Sequence, residues 1–286
     1  MRVLITGIDG FTGRHLKNYL SDYEVFGTSL LKSGDNVYKC DVMDEESVKQ
    51  VLEKVKPEVI IHLAALSFVG YGNISDFYKV NVIGSENILK NAKNAKVIVA
   101  SSATVYGNQS KEVLNEDMCL NPNNHYALSK YSAEQIAKNY FDKLNVIIVR
   151  PFNYTGVWQE EHFLVPKIVK HFKERKKEIK LGNLDVIREF NDVSFVCEAY
   201  KRLINSDVHG EILNIASSRG IKLLDIVKYM EDIAGYKIKI IQDEKFIRKN
   251  EIKKLIGSNK KLFSLIGEIS QPDFYQTLKV MYETSG

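Results

Sequence analysis

Two hydrophobic periods alternate along the first half of the chain. Short apolar runs rich in β-branched residues, which are typical of buried parallel strands, occupy residues 2–6, 24–29, 37–42, 58–65, 95–102 and 145–152. Amphipathic stretches with helical spacing separate these runs, at residues 11–20, 44–56, 75–92 and 126–142. Strands that alternate with helices imply right-handed crossovers, and therefore a doubly wound parallel sheet of the Rossmann type.

The pattern becomes less regular after Pro151. It predicts helices at residues 165–176, 193–204 and 223–234, with short strands between them. We therefore predict an α/β fold in two parts. Residues 1–160 are expected to form the Rossmann domain, with a later return of residues about 190–215. Residues 161–286 are expected to form a smaller α/β C-terminal substrate lobe.

Composition narrows the class of protein. The 286 residues are 44% apolar and 27% charged, as in ordinary soluble globular proteins. A net charge of +4, from 40 basic and 36 acidic residues, gives no bias towards nucleic acid. Cys40, Cys119 and Cys197 lack metal-ligand spacing and suit a reducing compartment. No apolar run approaches the roughly 20 residues that span a bilayer, so we expect a cytoplasmic protein with no membrane partner. From the net charge and the cysteine spacing we expect no nucleic-acid partner and no metal.

The stretch LITGIDGFTGRHL places Gly7, Gly10 and Gly13 between the first predicted strand and the first predicted helix. Glycines at this spacing allow a tight turn and a close approach of the backbone to a pyrophosphate. The start of the helix supplies amide donors and the positive end of the helix dipole. This context on both sides of the glycines predicts a dinucleotide site.

The residues after the second strand bear on which dinucleotide binds. An acidic residue there would hold the ribose 2′-hydroxyl of NAD(H), but the sequence FGTSLLKS supplies Thr28, Ser29 and Lys32 instead. Without that acid, Arg14 or Lys32 is free to bind a 2′-phosphate. NADP(H) is therefore favoured, and NAD(H) stays an alternative. Asp41 is predicted to contact the adenine amine. The other predicted cofactor contacts are Phe11, Thr12, Val42, Leu63, Ala64, Ala65 and Pro151.

Candidate acid–base chemistry appears in the stretches VASSATVYG and YALSK. Tyr126 and Lys130 are four residues apart and so lie on one face of a helix. A lysine cation there favours tyrosinate, and we expect it to lower the pKa of Tyr126 from about 10 towards neutrality. Ser101 and Ser102 follow a strand end, where a hydroxyl can hydrogen-bond a carbonyl or an alkoxide. An ordinary amphipathic helix is the alternative reading of the Tyr-Lys spacing alone.

Together, the motifs TGIDGFTG, HLAA, SSATVYG, YALSK and RPFN resemble the extended short-chain dehydrogenase/reductase family, also called the NAD-dependent epimerase/dehydratase family, over essentially the whole chain. The resemblance implies that Ser102, Tyr126 and Lys130 form the catalytic triad. It also implies that Asn81 and Asn153 support the active site, the cofactor and the substrate.

Two further stretches, LGNLDVIREFNDVSFVCEAY and IRKNEIKKLIGSNKKL, look like sugar-nucleotide-binding segments of GDP-mannose 4,6-dehydratases and GDP-4-keto-6-deoxy-D-mannose reductases. By that likeness Arg188 grips the diphosphate, and Arg248 and Glu251 hold the diphosphate and the ribose hydroxyls. Surface arginines on loops are the alternative. The predicted substrate contacts are Ser67, Ser102, Ala103, Thr104, Asn153, His162, Val165, Lys167, Leu181, Asn183, Arg188, Arg248 and Glu251.

Residue 104 bears on the reaction class. Dehydratases of the resembled family carry an acid there and GDP-fucose synthases a cysteine, whereas this chain has Thr104. Elimination of water and double epimerisation are therefore not expected. His162 and Cys119 are spare candidates for a proton donor, although a polar lining role is the more frequent one for a histidine such as His162. Trp158 stands where relatives commonly have glycine, and we expect it to reshape the sugar pocket for a hexose or a longer heptose.

Three functions stay open. We favour C4 reduction of a GDP-linked 4-keto-6-deoxy sugar by NAD(P)H, in nucleotide-sugar biosynthesis for surface polysaccharide. The SSATVYG motif also resembles that of UDP-galactose 4-epimerases, so an NAD-dependent 4-epimerase is the alternative. A non-catalytic nucleotide-binding protein is the third, because fold does not fix function. The resemblance further implies a homodimer formed through the helix of Tyr126 and the helix before it.

Overall fold

The computed structural model describes residues 1–67, 73–247 and 251–284. The strands are β1 (Arg2–Thr6), β2 (Glu24–Ser29), β3 (Val37–Lys39), β4 (Val59–His62), β5 (Lys96–Ala100), β6 (Val146–Pro151), β7 (Tyr154–Thr155), β8 (Glu178–Leu181), β9 (Ile187–Glu189), β10 (Asn191–Asp192), β11 (Glu211–Ile215), β12 (Gly220–Lys222), β13 (Lys239–Gln242) and β14 (Lys254–Leu255). The helices are α1 (Phe11–Tyr19), α2 (Glu45–Val55), α3 (Ile74–Tyr78), α4 (Gly84–Asn91), α5 (His125–Lys138), α6 (Leu164–Lys173), α7 (Val193–Asn205), α8 (Leu223–Ala234), α9 (Lys260–Ile266) and α10 (Phe274–Glu283).

A seven-stranded parallel sheet forms the centre of the molecule, in the order β11-β6-β5-β4-β1-β2-β3. On one face, α1 and α7 bury residues such as Leu16 and Phe195; on the other, α2, α4 and α5 bury residues such as Leu52, Ile88 and Ala137. The strand order reverses between β1 and β4, and in open parallel sheets ligands bind at such a reversal. The predicted Rossmann-type doubly wound fold is confirmed.

The C-terminal part of the chain forms small sheets packed against helices. β8 pairs with β13, and β9 lies between β12 and β14. Helices α6, α8 and α10 pack over them around a core that includes Phe172, Leu181, Met230 and Leu278. The segment of α7 and β11 returns to the main sheet, where β11 pairs with β6. The boundary between the predicted domains stays a prediction.

Two predicted elements differ from what the structure has. The predicted strand at 58–65 ends at His62, because the backbone amides of Leu63 and Ala64 both donate to the Thr6 hydroxyl at 3.1 Å instead of continuing the ladder. The predicted helix at 75–92 is helical throughout but contains a π-helical turn at Lys79–Ile83. Single π-turns inside helices are frequent at functional sites, and this one bears on the site described below.

Across the three described ranges, no helix is long and apolar enough to cross a membrane. The longest, α5, has 14 residues, whereas a bilayer requires about 20.

Gly107 lies where only glycine fits, and this generates a test of the fold. Its φ is +61° and its ψ −150°, and a Cβ built there would lie 1.7 Å from the Asn121 carbonyl oxygen. Gly235 also has a positive φ of +71°, but open space surrounds its Cα. We expect Gly235→Ala to cost about 1 kcal/mol of unfolding free energy from backbone strain, and Gly107→Ala at least about 2 kcal/mol more. Urea unfolding measures both, and equal costs would contradict the described turn.

Candidate active site

The glycine-rich loop is built as a phosphate cradle at the reversal of strand order. Gly7 has a φ of +69°, and a Cβ there would approach Ala64 at the end of β4 to 3.0 Å. A Cβ on Gly13 would lie 2.6 Å from the Gly7 carbonyl oxygen, so the loop and α1 pack closely. The N-cap of α1 is Gly10, which has no side chain to bond the first amides, and the first turn carries no acid. These amides are therefore available to an anion, and the loop fits the pyrophosphate of a dinucleotide.

A tyrosine that sequence analysis did not single out closes this loop from the other side. The Tyr154 hydroxyl hydrogen-bonds the Thr12 hydroxyl at 2.6 Å, and its ring stacks on Phe11 with 5.8 Å between centroids. Burial raises the pKa of Tyr154 to about 12, so it is neutral at physiological pH. Its position directly after Asn153 in RPFN was the available signal. Tyr154 ties the cofactor loop to the chain segment that leads into the substrate lobe.

Ser102 and Tyr126 meet at the carboxyl end of β5. Ser102 begins a 3₁₀ turn (Ala103–Tyr106), and its oxygen accepts from the Thr104 amide at 3.2 Å and the Thr104 hydroxyl at 3.0 Å. Burial raises the pKa of Tyr126, and a hydrogen bond with Ser102 lowers it by a smaller amount. The predicted shift towards neutrality is therefore wrong for the protein itself, because desolvation outweighs the stabilisation of the tyrosinate. Tyr126 is a neutral phenol at pH 7.

Lys130 lies one helical turn after Tyr126 and is 7% exposed. Its ammonium donates to the Ala100 carbonyl at 2.7 Å, which fixes the side chain at the end of β5. Burial lowers the pKa of Lys130 to about 8, and the Glu134 carboxylate acts in the opposite direction. The lysine thus stays cationic at neutral pH but titrates within an accessible range. The predicted triad of Ser102, Tyr126 and Lys130 converges on one strand end.

Asn81 occupies the π-turn at Lys79–Ile83 and joins three segments. Its amide nitrogen donates to the Leu66 carbonyl at 3.1 Å and to the Ser129 hydroxyl at 2.9 Å, and its oxygen accepts from the Leu66 amide at 2.8 Å. The Ser129 hydroxyl in turn donates to the Tyr126 carbonyl at 2.8 Å. Asn81 is 1% exposed. Asn81 therefore fixes the first turn of α5 through Ser129, and its role towards a cofactor and a substrate stays a prediction.

A buried histidine continues this chain of hydrogen bonds to β1. His62 lies between the Thr6 hydroxyl, 2.8 Å from Nδ1, and the Ser85 hydroxyl, 3.0 Å from Nε2. Because Ser85 donates its own proton to the Asn81 carbonyl at 2.7 Å, its oxygen accepts from Nε2–H, and Nδ1 accepts from Thr6. Burial, and then the nearby Lys130 cation, lower the pKa of His62 to about 3, so it stays neutral. Sequence analysis read HLAA as a family motif and missed this bridging role.

The adenosine end of the predicted cofactor site lies at the ends of β2 and β3. Thr28 and Ser29 are buried, and the Ser29 hydroxyl accepts from the Lys32 amide at 3.0 Å. Asp41 accepts from the Met43 amide at 2.9 Å, and Val42 is buried. Lys32 itself is exposed, as a phosphate ligand would need to be.

Arg14 and Trp158 line a cavity of about 410 Å³ beside α1. The Arg14 Nε donates to the Asp9 carbonyl at 2.6 Å. Trp158 has a positive φ of 66° and lies against His15, with 5.2 Å between ring centroids. The expectation that Trp158 reshapes the sugar pocket is not supported by this placement, because its neighbours belong to α1 of the cofactor-binding part.

On the substrate side, the structure brings Arg188 and Glu251 together. Arg188 is 8% exposed and pairs with the Glu251 carboxylate at 2.7 Å, while it also donates to the carbonyls of Ile187 and Ile252. The Arg188 guanidinium is thus held in place by Glu251, which was also predicted to bind the nucleotide. Arg248, the third, lies outside the described residues.

The other predicted substrate contacts are spread over the lobe. Lys167 donates to the Lys180 carbonyl at 2.8 Å, and its ammonium lies 3.7 Å from the centre of the Phe246 ring. Exposed His162 pairs with Glu160 at 3.1 Å. Val165 and Leu181 are each 2% exposed and belong to the core of the C-terminal part, and their contact with a substrate stays a prediction. Of the remaining predicted substrate contacts, Ala103 is buried, whereas Ser67, Asn153 and Asn183 are exposed or half-buried. Ala65 and Pro151, which were predicted for the cofactor, are half-buried. No group of His, Cys, Asp or Glu within the described ranges has the geometry to hold a metal ion.

Comparison with known proteins assigns the family. The profile of the NAD dependent epimerase/dehydratase family matches residues 3–216. The chain is 38% identical to GDP-6-deoxy-D-talose 4-dehydrogenase of Aggregatibacter actinomycetemcomitans over 275 residues, which cover 93% of this chain and 92% of that protein. It is 26% identical to GDP-6-deoxy-D-mannose reductase of Pseudomonas aeruginosa, over 98% of this chain and 95% of that protein.

A solved structure supports the same relationship. The structure of RMD from Pseudomonas aeruginosa in complex with NADPH superposes with a TM-score of 0.87 and 25% identity, covering 98% of this chain and 97% of that chain. The similarity therefore extends through both the sheet and the C-terminal lobe.

The Asn81 network generates a stability prediction. Asn81→Ala removes three side-chain hydrogen bonds in a buried position and leaves the Leu66 groups without those partners, so we expect a loss of about 3 kcal/mol in unfolding free energy. Asn91→Ala is the matched control in the same helical stretch, because Asn91 is only partly buried and its amide bonds the Asn87 carbonyl at 2.9 Å and the exposed Glu45 carboxylate. Chemical denaturation of the two variants measures the difference. Equal stabilities would show that Asn81 does not join the segments as described.

Proposed function

The chain belongs to the NAD dependent epimerase/dehydratase family of extended short-chain dehydrogenases/reductases, and from this premise we propose that it is a nucleotide-sugar C4 ketoreductase. Its substrate is a GDP-linked 4-keto-6-deoxy sugar, and its cofactor is NADPH. The observation that carries this proposal is the convergence of Ser102, Tyr126 and Lys130 at the end of β5, beside the glycine-rich loop. Burial raises the pKa of Tyr126, so it is a neutral phenol that can give a proton to a C4 oxygen.

In this proposal each member of the triad has one task. When bound at the glycine-rich loop, NADPH would supply the hydride for C4 of the ketone. The Tyr126 phenol donates its proton to the C4 oxygen, so that the C=O bond becomes CH–OH. The Ser102 hydroxyl hydrogen-bonds the same oxygen as negative charge develops. The Lys130 cation stabilises the tyrosinate that remains, and α5 holds the two side chains one turn apart.

Two relatives guide the choice of sugar. Mannose and talose differ only in configuration at C4, so the same GDP-4-keto-6-deoxy sugar stands on the oxidised side of both named reactions. The higher identity is to the talose enzyme, at 38% against 26%. We therefore propose that hydride adds to the face that gives the talo configuration. We propose that the buried Arg188–Glu251 pair lies beside the diphosphate and ribose of the bound nucleotide.

NADPH is proposed over NADH for two reasons. The end of β2 carries Thr28 and Ser29 with no carboxylate to repel a 2′-phosphate, and exposed Lys32 follows. The related structure with 25% identity contains NADPH.

Thr104 lacks the acidity that elimination would need, and its hydroxyl donates to the Ser102 oxygen. This favours simple reduction over dehydration.

Dimerisation stays a prediction. The resemblance assigns the interface to α5 and the helix before it. Leu128 on α5 is 38% exposed, and Ile83, directly before α4, is 51% exposed. Apolar side chains in these positions suit a helix-to-helix contact with a second copy.

A coupled assay tests the proposed function. GDP-mannose is converted to its 4-keto-6-deoxy product by a separate dehydratase, and this protein is then added with NADPH or NADH. We expect stoichiometric oxidation, faster with NADPH, and a loss of at least about 100-fold for Tyr126→Phe, which has no proton to give. Tyr131→Phe, on the next turn of α5, is the matched control. No oxidation, with NAD⁺ retained through purification, would contradict the reductase and favour the 4-epimerase; binding without turnover would favour the non-catalytic alternative.

The pH dependence follows from the two titrating groups. Lys130 loses its charge as pH rises through about 8, whereas Tyr126, with a raised pKa, keeps its proton to higher pH. We expect kcat/KM for the ketone to be level from about pH 6 to 7.5 and to fall above pH 8 by up to about tenfold per unit. A rate that rises through pH 8 would mean that Tyr126 acts as a base instead.

A further inference from the structure

Arg150 lies near the carboxyl end of β6, between β11 and β5 in the parallel sheet, and its side chain is 2% exposed. Its Nε and one terminal nitrogen donate to the two oxygens of Glu134, at 2.9 and 2.7 Å. The other terminal nitrogen donates to the Tyr106 hydroxyl at 3.0 Å, and the guanidinium lies 4.9 Å from the centre of the Tyr106 ring. One buried cation thus binds two separate segments.

These two segments carry the two halves of the triad. Glu134 lies one turn beyond Lys130 and two beyond Tyr126, so all three share one face of α5. Tyr106 ends the 3₁₀ turn that Ser102 begins. Ser101, next to Ser102, also donates its hydroxyl to Glu134.

We propose that Arg150 and Glu134 are a positioning pair that sets the distance between Ser102 and Tyr126 and keeps the Lys130 ammonium charged in its buried site. The catalytic part of this inference rests on the proposed function; the part that concerns Lys130 does not. Neither residue touches the reacting atoms in this scheme. Both act through the triad.

Stability alone is a weak explanation for the pair. Removing two charges from water costs several kcal/mol per ion, and well-packed apolar replacements of buried pairs are often neutral or stabilising. What the ion pair supplies is a defined geometry. Two parallel donors from a planar guanidinium fix the carboxylate in orientation as well as distance. The remaining donor reaches Tyr106, whose hydroxyl is held by Asn214 at 2.7 Å.

The pair also sets the charge around Lys130. The groups near this ammonium are the Ala100 carbonyl, which accepts from it at 2.7 Å, Glu134 on α5 and neutral His62 from β4, with Arg150 paired to Glu134. Glu134 is the anion in this set, and it opposes the effect of burial on the Lys130 pKa. The Glu134 side chain is fully buried, and the Arg150 guanidinium pairs with its carboxylate at 2.7 Å.

Glu134→Gln is the first test, because it keeps the shape and removes the charge. We expect the Lys130 titration to move to lower pH by about one unit, since burial and Arg150 then act unopposed. The alkaline limb of the rate profile should move with it, and kcat should fall about tenfold or more with KM little changed. Glu198→Gln is the matched control, because Glu198 accepts from Arg202 at 2.6 Å in a helix-surface pair away from the triad. That variant should change neither quantity.

Arg150→Lys separates geometry from charge. A lysine keeps the cation but loses the planar fork, so we expect kcat to fall about tenfold while the Lys130 titration stays within a few tenths of a unit. A single substitution leaves one buried charge without its partner and can unfold the protein, so the double variant Glu134→Leu/Arg150→Met removes both charges together. If the pair were merely structural, this apolar variant would fold and react like the original; we expect it to fold and to lose activity.

The Lys130 titration is read without substrate, from the ¹³C shift of lysine Cε in labelled protein, with Lys130→Met for assignment. If the protein reduces no ketone but Glu134→Gln still lowers the Lys130 titration, the proposed function fails and the charge role of the pair stands. If reduction is found, and Glu134→Gln leaves both kcat and the titration unchanged, the pair is overturned and the function stands.

Discussion

The buried guanidinium of Arg150 is the constraint on which the active-site face depends. A cation buried beside a parallel sheet is tolerated only when an anion reaches it with good geometry. Glu134 is that anion, and it stands on the same face of α5 as Tyr126 and Lys130. Pairing with Arg150 therefore turns the Glu134 face of α5 towards the sheet. Tyr126 and Lys130 lie on this same face, so the pair also orients them.

A chain of hydrogen bonds joins β1, β4, the π-turn and α5. It runs from Thr6 to His62, Ser85 and Asn81, and ends at Ser129 on α5. The same Thr6 hydroxyl accepts the two amides that end β4 at the cofactor crevice. The ends of β1 and β4, the π-turn and α5 are thus held by one continuous network. This explains why a π-turn, which is costly in an ordinary helix, persists at this place.

Much of this architecture could be predicted from the sequence, for local reasons. Hydrophobic period gave the strands and helices, and the spacing of Gly7, Gly10 and Gly13 gave the loop. The four-residue spacing of Tyr126 and Lys130 gave the shared face. The Arg150–Glu134 pair, the His62 bridge and the Arg188–Glu251 pair could not be predicted, because each joins residues that only the fold brings together. The raised pKa of Tyr126 was missed for a related reason: spacing reveals the neighbouring lysine, but only the packed structure reveals how completely the phenol is removed from water.

The central claim is that this site adds hydride to C4 of a ketone while a neutral tyrosine supplies the proton. The most direct test uses NADPH deuterated at C4 of the nicotinamide, in both stereochemical forms, with isolated GDP-4-keto-6-deoxy-D-mannose. The claim predicts that one form places a single deuterium on C4 of a 6-deoxy sugar product with talo configuration, seen as a missing H4 signal in the proton NMR spectrum. Recovery of the ketone unchanged, with the deuterium still on the nicotinamide, would contradict it.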